Sequence, residues 1–292
     1  MLRIAHIVNP VLVQPPSDLV VAQPISFEAM RIAKQQAAGR VAVDLLAVGY
    51  AEDNPAMPAD FQEMPLLTRS VLDVAAFQKQ RKLPLLKDIL DRLYGGCEAE
   101  YLAYTNVDIG LQPHFYLSVQ GFIDQGFDAF VINRRTISRK HTRVEELPLM
   151  WAEAGDPHRG WDCFVFQRDL YPEFVLGNVC VGATRVGLAL LANMVAYGRC
   201  FFEIKDAHLT FHIGDERHWK NPAFADYDAH NTRELMEILT VLEKETGPFG
   251  RETIPASFLW RKRKFGSLYE FWSRNVYLPL RLSRLLNRFL RR

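Results

Sequence analysis

Apolar runs separated by Pro- and Gly-containing breaks set the pattern of this chain. Residues 2–13 (LRIAHIVNPVLV) are rich in β-branched side chains and stop at Pro15–Pro16, which predicts a buried first strand. Residues 26–38 (SFEAMRIAKQQAA) predict a helix, with Ser26 as its N-cap and Gly39 as its stop. Residues 41–49 (VAVDLLAVG) predict a second strand, and Pro55, Pro58 and Pro65 among acids predict a loop over 51–65. Pro84 in a first helical turn predicts a helix over LLKDILDRLY to Gly95–Gly96, with Leu85, Ile89, Leu90 and Leu93 on one face. Residues 99–111 (AEYLAYTNVDIGL) predict a strand with a polar end, Phe115–Gln125 a helix, and 127–135 (FDAFVINRR) a further strand. Such alternation predicts an α/β fold, a sheet of parallel strands flanked by helices, with ligands bound beyond the carboxyl ends of the strands. Asn106 and Asp108 fall at such an end.

The second half is less regular. DCFVF (162–166) predicts a strand and 183–198 a helix; 208–219 (HLTFHIGDERHW) alternates and then becomes polar, and Thr232–Glu245 predicts an amphipathic helix. No internal repeat or low-complexity segment interrupts it. Four cysteines, Cys97, Cys163, Cys180 and Cys200, form no CxxC pair and no zinc spacing, which predicts reduced thiols in a core.

Charge changes the picture at the far end. Between Trp260 and Arg292 ten basic residues face the single acid Glu270, a net +9, while residues 1–259 hold 25 basic against 33 acidic residues, a net −8. Helical spacing puts Leu278, Leu282, Leu285, Leu286 and Phe289 on one side and Arg281, Arg284, Arg288 and Arg291 on the other. A basic amphipathic helix with aromatics suits an anionic membrane surface. Packing on the body or on a second subunit, as a homo-oligomer, is the alternative. Nucleic acid fits less well, because the −8 body repels a polyanion. These readings divide the chain into a main domain over 1–255 and a basic amphipathic tail over 256–292. A composition of 49% hydrophobic and 24% charged residues excludes a disordered chain. No apolar stretch reaches about 18 residues, the length a membrane span needs. MLRIAHIVNPV has no signal-peptide pattern, so the expected location is cytoplasmic, peripheral on the inner face of the membrane.

Candidate chemistry centres on YTNVDIG. On an extended backbone Asn106 and Asp108 share a side, and a carboxylate there suits Mg²⁺ or Mn²⁺ bridged to a diphosphate. An Asx turn at a strand end accounts for the same residues without function. His208 and His212 would share a strand face, as metal ligands or as structural histidines; Asp215 and Glu216 suit a turn with Gly214. Gly177, Gly182 and Gly187 do not match a phosphate loop, and no GxSxG elbow occurs.

YTNVDIGLQPHFY resembles the Asn-Ser-Asp-Ile stretch of bacterial glycosyltransferases with the GT-A fold, which replaces their Asp-x-Asp metal motif. FDAFVINRR, HRGWDCFVFQRDLYPEFVLGN and HLTFHIGDERHW resemble later segments of the same group, in order, so the likeness spans about residues 2–235. The resemblance implies a Rossmann-like, mixed and mostly parallel sheet, a nucleotide-diphosphate sugar as donor, and a surface glycan or lipid-linked acceptor. It implies that Asp108 holds a divalent cation and the diphosphate, that Asn106 stands where the first carboxylate would be, and that only one anionic ligand remains. His212 is implied as a late metal or phosphate contact and Asp162 as the acceptor-side general base. Asn9 and Pro10 are implied at the nucleotide pocket, with Arg81, Lys82 and Lys87 as phosphate or base contacts. Arg134 suits a diphosphate or acceptor anion, or simply flanks its strand. Trp161 suits a sugar ring or the core. Two other readings compete: a membrane-attached scaffold that keeps the fold without catalysis, and a nucleotidyltransferase.

Overall fold

The computed structural model describes residues 1–214 and 222–275. The chain starts with β1 (Arg3–Val8), α1 (Leu19–Ala37), β2 (Ala42–Ala47) and the two-residue β3 (Gln62–Glu63). It continues through α2 (Leu86–Gly95), β4 (Tyr101–Thr105), β5 (Gly110–Leu111), α3 (Phe115–Asp124) and β6 (Ala129–Ile137). Next come α4 (Leu147–Ala152), β7 (Asp156–Gln167), α5 (Val186–Tyr197), β8 (Phe201–Ile204), β9 (Thr210–Ile213) and α6 (Ala225–Thr246). Contacts divide the chain into one unit over Met1–Gly247 and a second that begins at Pro248. The second holds α7 (Ile254–Asn275), whose backbone leaves helical geometry at Gly266. No helix among the described residues is long and apolar enough to cross a membrane.

The strands form one sheet in the order β3-β2-β1-β4-β7-β6-β9-β5, with β8 also paired to β6. β1 runs parallel to β2 and β4, and β6 runs parallel to β8 and β9, so the sheet is mixed and mostly parallel. β7 lies antiparallel between β4 and β6. Its amino-terminal half therefore reaches the same edge as the carboxyl ends of the parallel strands. One face of the sheet buries Ile4, Val43, Leu45, Ala103, Phe130, Ile132 and Val165 against Met30 and Ala33 of α1 and Phe115, Tyr116 and Val119 of α3. Each large apolar side chain so buried stabilises the fold by roughly 1.5–3 kcal/mol. Those residues stand two apart along the strands and at helical spacing along α1.

Several local expectations are corrected. α1 begins at Leu19, not Ser26, and runs through Pro24. A proline there costs helix stability, but Ala22, Ile25, Ala29, Met30 and Ala33 are all buried along one stripe, and burial outweighs it. Ser26 is buried inside the helix rather than capping it. Pro84 lies before α2, where its carbonyl accepts the Val181 amide. The 51–65 segment carries a 3₁₀ turn at Ala51–Ala56 and adds β3 beside β2. The expected 99–111 strand is two strands, because the chain turns at Asn106, whose carbonyl accepts the Ile109 amide. All four cysteines are free, but only Cys163 and Cys180 lie in the core; Cys97 is half-buried and Cys200 exposed.

Candidate active site

The turn after β4 decides the geometry of the site. Strand alternation would put Asn106 and Asp108 on one side; the turn instead sends them to different partners. Thr105 pairs with Cys163 across β4 and β7, which brings Asn106 beside Asp162. The Asn106 amide donates from Nδ2 to Asp162 Oδ1 at 3.0 Å, and its backbone N–H donates to the Asp162 carbonyl at 3.3 Å. Tyr104, fully buried, donates its hydroxyl to Asn106 Oδ1 at 3.2 Å. Burial and the nearby Asp108 and Asp162 charges push the Tyr104 phenol well above its ordinary value, so it remains a donor. Asn106 is thus a relay that accepts from a phenol and donates to a carboxylate. An aspartate could do only the first.

Arg134, from the carboxyl half of β6, closes the other side of Asp162. Its Nη1 lies 2.5 Å from Asp162 Oδ2, and both side chains are mostly buried, at 11% and 13% exposure. His158 Nδ1 lies 3.9 Å from the same oxygen. Pairing of β6 with β7 shifts register on both sides of Asn133, and the residues around Arg134 face a bulge in β7. Bulges re-aim side chains in this way at sheet rims and active sites.

Asp108 faces His212 of β9. The imidazole Nε2 is 3.1 Å from Asp108 Oδ2, and Nδ1 donates to the Gly214 carbonyl at 2.7 Å. Gly214 holds a left-handed φ of 73°, which few side-chain-bearing residues adopt, and so turns its carbonyl onto the ring. Burial works against a charged His212, but the Asp108 hydrogen bond and charge outweigh it and raise its pKa. Burial likewise works to raise the Asp108 carboxyl. The His212 hydrogen bond and charge, with the Arg134 charge, hold it below the ordinary carboxylate value. Each group therefore favours the charged form of the other, beside a guanidinium. The other Asp108 oxygen, Oδ1, is buried and accepts no hydrogen bond. Buried carboxylate oxygens are rarely left so.

These donors bear on a divalent cation. Among the described residues no group of three His, Cys, Asp or Glu side chains could hold one. Asp108 and His212 suit a cation that takes most of its oxygen shell from a substrate diphosphate, as Mg²⁺ commonly does. The Gly214 carbonyl fixes the tautomer that leaves Nε2 free to ligate. His208, expected to share a face with His212, precedes β9 with φ 47° and meets Gln112 instead, 3.3 Å away.

The remaining predicted residues occupy the neighbouring strand ends. Asn9, buried, follows β1 and donates to the Val48 carbonyl beyond β2 at 2.6 Å; Pro10 is buried beside it. Lys82 pairs with Glu52 at 2.5 Å and lies over the Tyr50 ring at 4.0 Å, next to the end of β2. Arg81 lies over the Phe224 ring at 4.3 Å. Lys87 pairs with Asp91 along the surface of α2, at 2.7 Å. The structure therefore brings Asn106, Asp108, Arg134, Asp162 and His212 together. It gives Arg81 and Lys87 partners elsewhere. Asp215, Glu216 and His218 lie outside the described residues. Tyr104, His158 and Glu203 carry site contacts that the sequence did not single out. A lone acid in the apolar run FFEI was the one available signal for Glu203.

No protein-family model and no curated protein sequence matches the chain. Solved structures do. Residues 1–349 of TarS from S. aureus, in complex with UDP, match with a TM-score of 0.51 at 10% identity, over 95% of this chain and 76% of that one. Glucosyl-3-phosphoglycerate synthase from Mycobacterium tuberculosis, with Mn²⁺, UDP-glucose and phosphoglyceric acid, gives a TM-score of 0.45 at 12% identity, over 80% and 78%. The chain has the GT-A fold of nucleotide-sugar transferases.

Proposed function

We propose that this chain is a glycosyltransferase that moves a sugar from a nucleotide-diphosphate donor to a hydroxyl of a surface-glycan or lipid-linked acceptor. The observation that carries this reading is Asp108 itself. Its buried, unpartnered oxygen sits beside His212 and Arg134 at the carboxyl ends of the parallel strands. In this reading the nucleoside lies over the ends of β1 and β2, against Asn9, Pro10 and Lys82. UDP in the TarS structure makes a uridine nucleotide the first donor to try.

Cleavage of the donor leaves negative charge on the departing diphosphate. Arg134 stands ready for that charge in a water-poor site, where fixed charges lower a barrier most, and His212 adds to it when protonated. A divalent ion, held by Asp108, the neutral His212 ring and the diphosphate oxygens, would take the place of the His212 proton and neutralise more of it. Asp162 serves an inverting transfer by taking the proton of the acceptor hydroxyl once Arg134 turns toward the diphosphate; a retaining transfer needs no such base.

The test is titration of the full chain with UDP-, GDP-, CMP- and dTDP-sugars, with and without Mn²⁺, followed by thermal shift and calorimetry. One nucleotide is expected to bind, and Asp108→Ala to weaken its Mn²⁺-dependent binding by about tenfold or more, the scale of a lost charge-assisted contact. If none of the four raises the melting temperature in either condition, the reading falls.

A further inference from the structure

A second carboxylate stands on the same edge of the sheet, one strand beyond Arg134. Glu203 of β8 pairs across from Val131 of β6, and Asn133 of β6 pairs across from Trp161 of β7. Glu203 Oε1 accepts the Trp161 indole N–H at 2.9 Å and the Asn133 amide at 3.4 Å. Its Oε2 lies 3.1 Å from the ammonium of Lys205, which is 66% exposed. The Glu203 side chain is 15% exposed, and its cationic partner among the described residues is a solvated lysine at the rim. Asn133 is 4% exposed, and its Oδ1 is buried with no hydrogen-bond partner. Trp161 is held from behind: a Cβ on Gly187, at the start of α5, would lie 2.6 Å from the Trp161 carbonyl.

The chemistry of this group is selective. The indole N–H is tied to Glu203, so the ring plane is fixed and half-buried, and its remaining surface is apolar. Beside it stand two acceptor groups, the Glu203 carboxylate and the Asn133 carbonyl oxygen. Such a set calls for a ligand that brings hydroxyl donors at its edge and C–H groups on its face. An anion would meet the carboxylate, and a purely apolar group would leave the Asn133 oxygen unpaired. A sugar ring brings both kinds of group. Trp161 is adjacent in sequence to Asp162, which the reading above makes the acceptor-side base.

We propose that Glu203, Trp161 and Asn133 form a subsite for an uncharged sugar ring of the acceptor. The proposal rests on the transferase reading above and adds the class of second substrate. Glu203 binds hydroxyls through its carboxylate and does not take the reacting proton.

The experiment uses the full chain, with and without UDP. Methyl β-glycosides of glucose, galactose and N-acetylglucosamine are the probes, followed by saturation-transfer NMR. At least one glycoside is expected to bind in the millimolar range. Trp161→Phe and Glu203→Gln should each weaken it by about tenfold while UDP affinity stays within twofold, since one good polar contact to a charged group corresponds to about that factor. Glu203→Gln keeps an oxygen for the Trp161 N–H, so a purely structural Glu203 would leave glycoside binding at the wild-type level, and that result overturns the proposal. Absence of any glycoside signal from a wild-type chain that binds UDP overturns it as well. Glycoside binding that is lost in Glu203→Gln, in a chain that binds no nucleotide, supports the subsite and sinks the transferase reading instead.

Discussion

Asn106 is the residue at which this site departs most from a paired-carboxylate motif, and its contacts give a reason. It donates to Asp162 Oδ1 at 3.0 Å, a bond no carboxylate could make. Asn106→Asp would set two carboxylates face to face, and like charges so close cannot both ionise cheaply. The expected outcome is a loss of about 1–3 kcal/mol of stability, read by urea unfolding, together with weaker donor binding, rather than tighter metal binding. A gain in Mn²⁺ affinity at unchanged stability would refute this account. Asp108→Asn tests the other arm: it keeps the shape and removes the charge. Turnover with the donor found by titration should fall by about 10²–10³, the scale seen when one transition-state contact is removed. Both residues were readable as a motif. Their division between two partners was not, because it depends on a turn that strand pairing with β7 imposes.

At the scale of elements, a buried histidine ties three pieces together. His6 of β1 meets Tyr116 of α3 at 2.9 Å and Thr105 of β4 at 3.0 Å, in a fully buried position. Burial pushes its pKa down to about 3. The unfolded chain binds a proton near the ordinary value of about 6.5, so below it the unfolded state holds more protons and stability falls with pH. His6 therefore contributes fully above pH 6.5, and the contribution drains away between about pH 6.5 and 3. The slope from this group approaches about 1.4 kcal/mol per pH unit. Urea denaturation from pH 7 to pH 4 should show the decline, and His6→Gln should flatten it; identical slopes in the two proteins would contradict the assignment. In the sequence His6 reads only as one polar residue within an apolar strand. Its partners lie 99 and 110 residues away, beyond the reach of any local pattern.

Across the whole molecule, charge separates the body from the end of the chain. The described part of that end carries Trp260 and the basic run Arg261–Lys264 on α7, with the Lys264 ammonium 4.8 Å from the Trp260 ring centroid. The amphipathic segment from Leu278 onward lies outside the described residues. We propose that this end holds the protein on an anionic membrane surface. Full-length chain should float with vesicles containing about 30% anionic lipid at low salt, and release as salt screens the attraction. A chain ending at Gly247 should stay at the bottom of the gradient. Flotation on neutral vesicles, or of the shortened chain, would argue against the assignment.

Hydrophobic spacing was enough to place most helices and strands, because a buried face repeats at 2 or 3.6 residues wherever the core lies. Spacing also located Asp108 at a strand end and His212 on a late strand. It could not show the reversed direction of β7, since an antiparallel strand has the same period as a parallel one. That reversal is what carries Trp161 and Asp162 to the edge where Asn106, Arg134 and Glu203 wait. The start of α1 was hidden for a related reason: Pro24 is a local signal against helix, and only packing on the sheet overrides it. Short-range preferences of fractions of a kcal/mol per residue yield to burial worth more than a kcal/mol per side chain. The chemistry-bearing residue types were therefore legible one by one, while their grouping into a site followed from how distant strands pair.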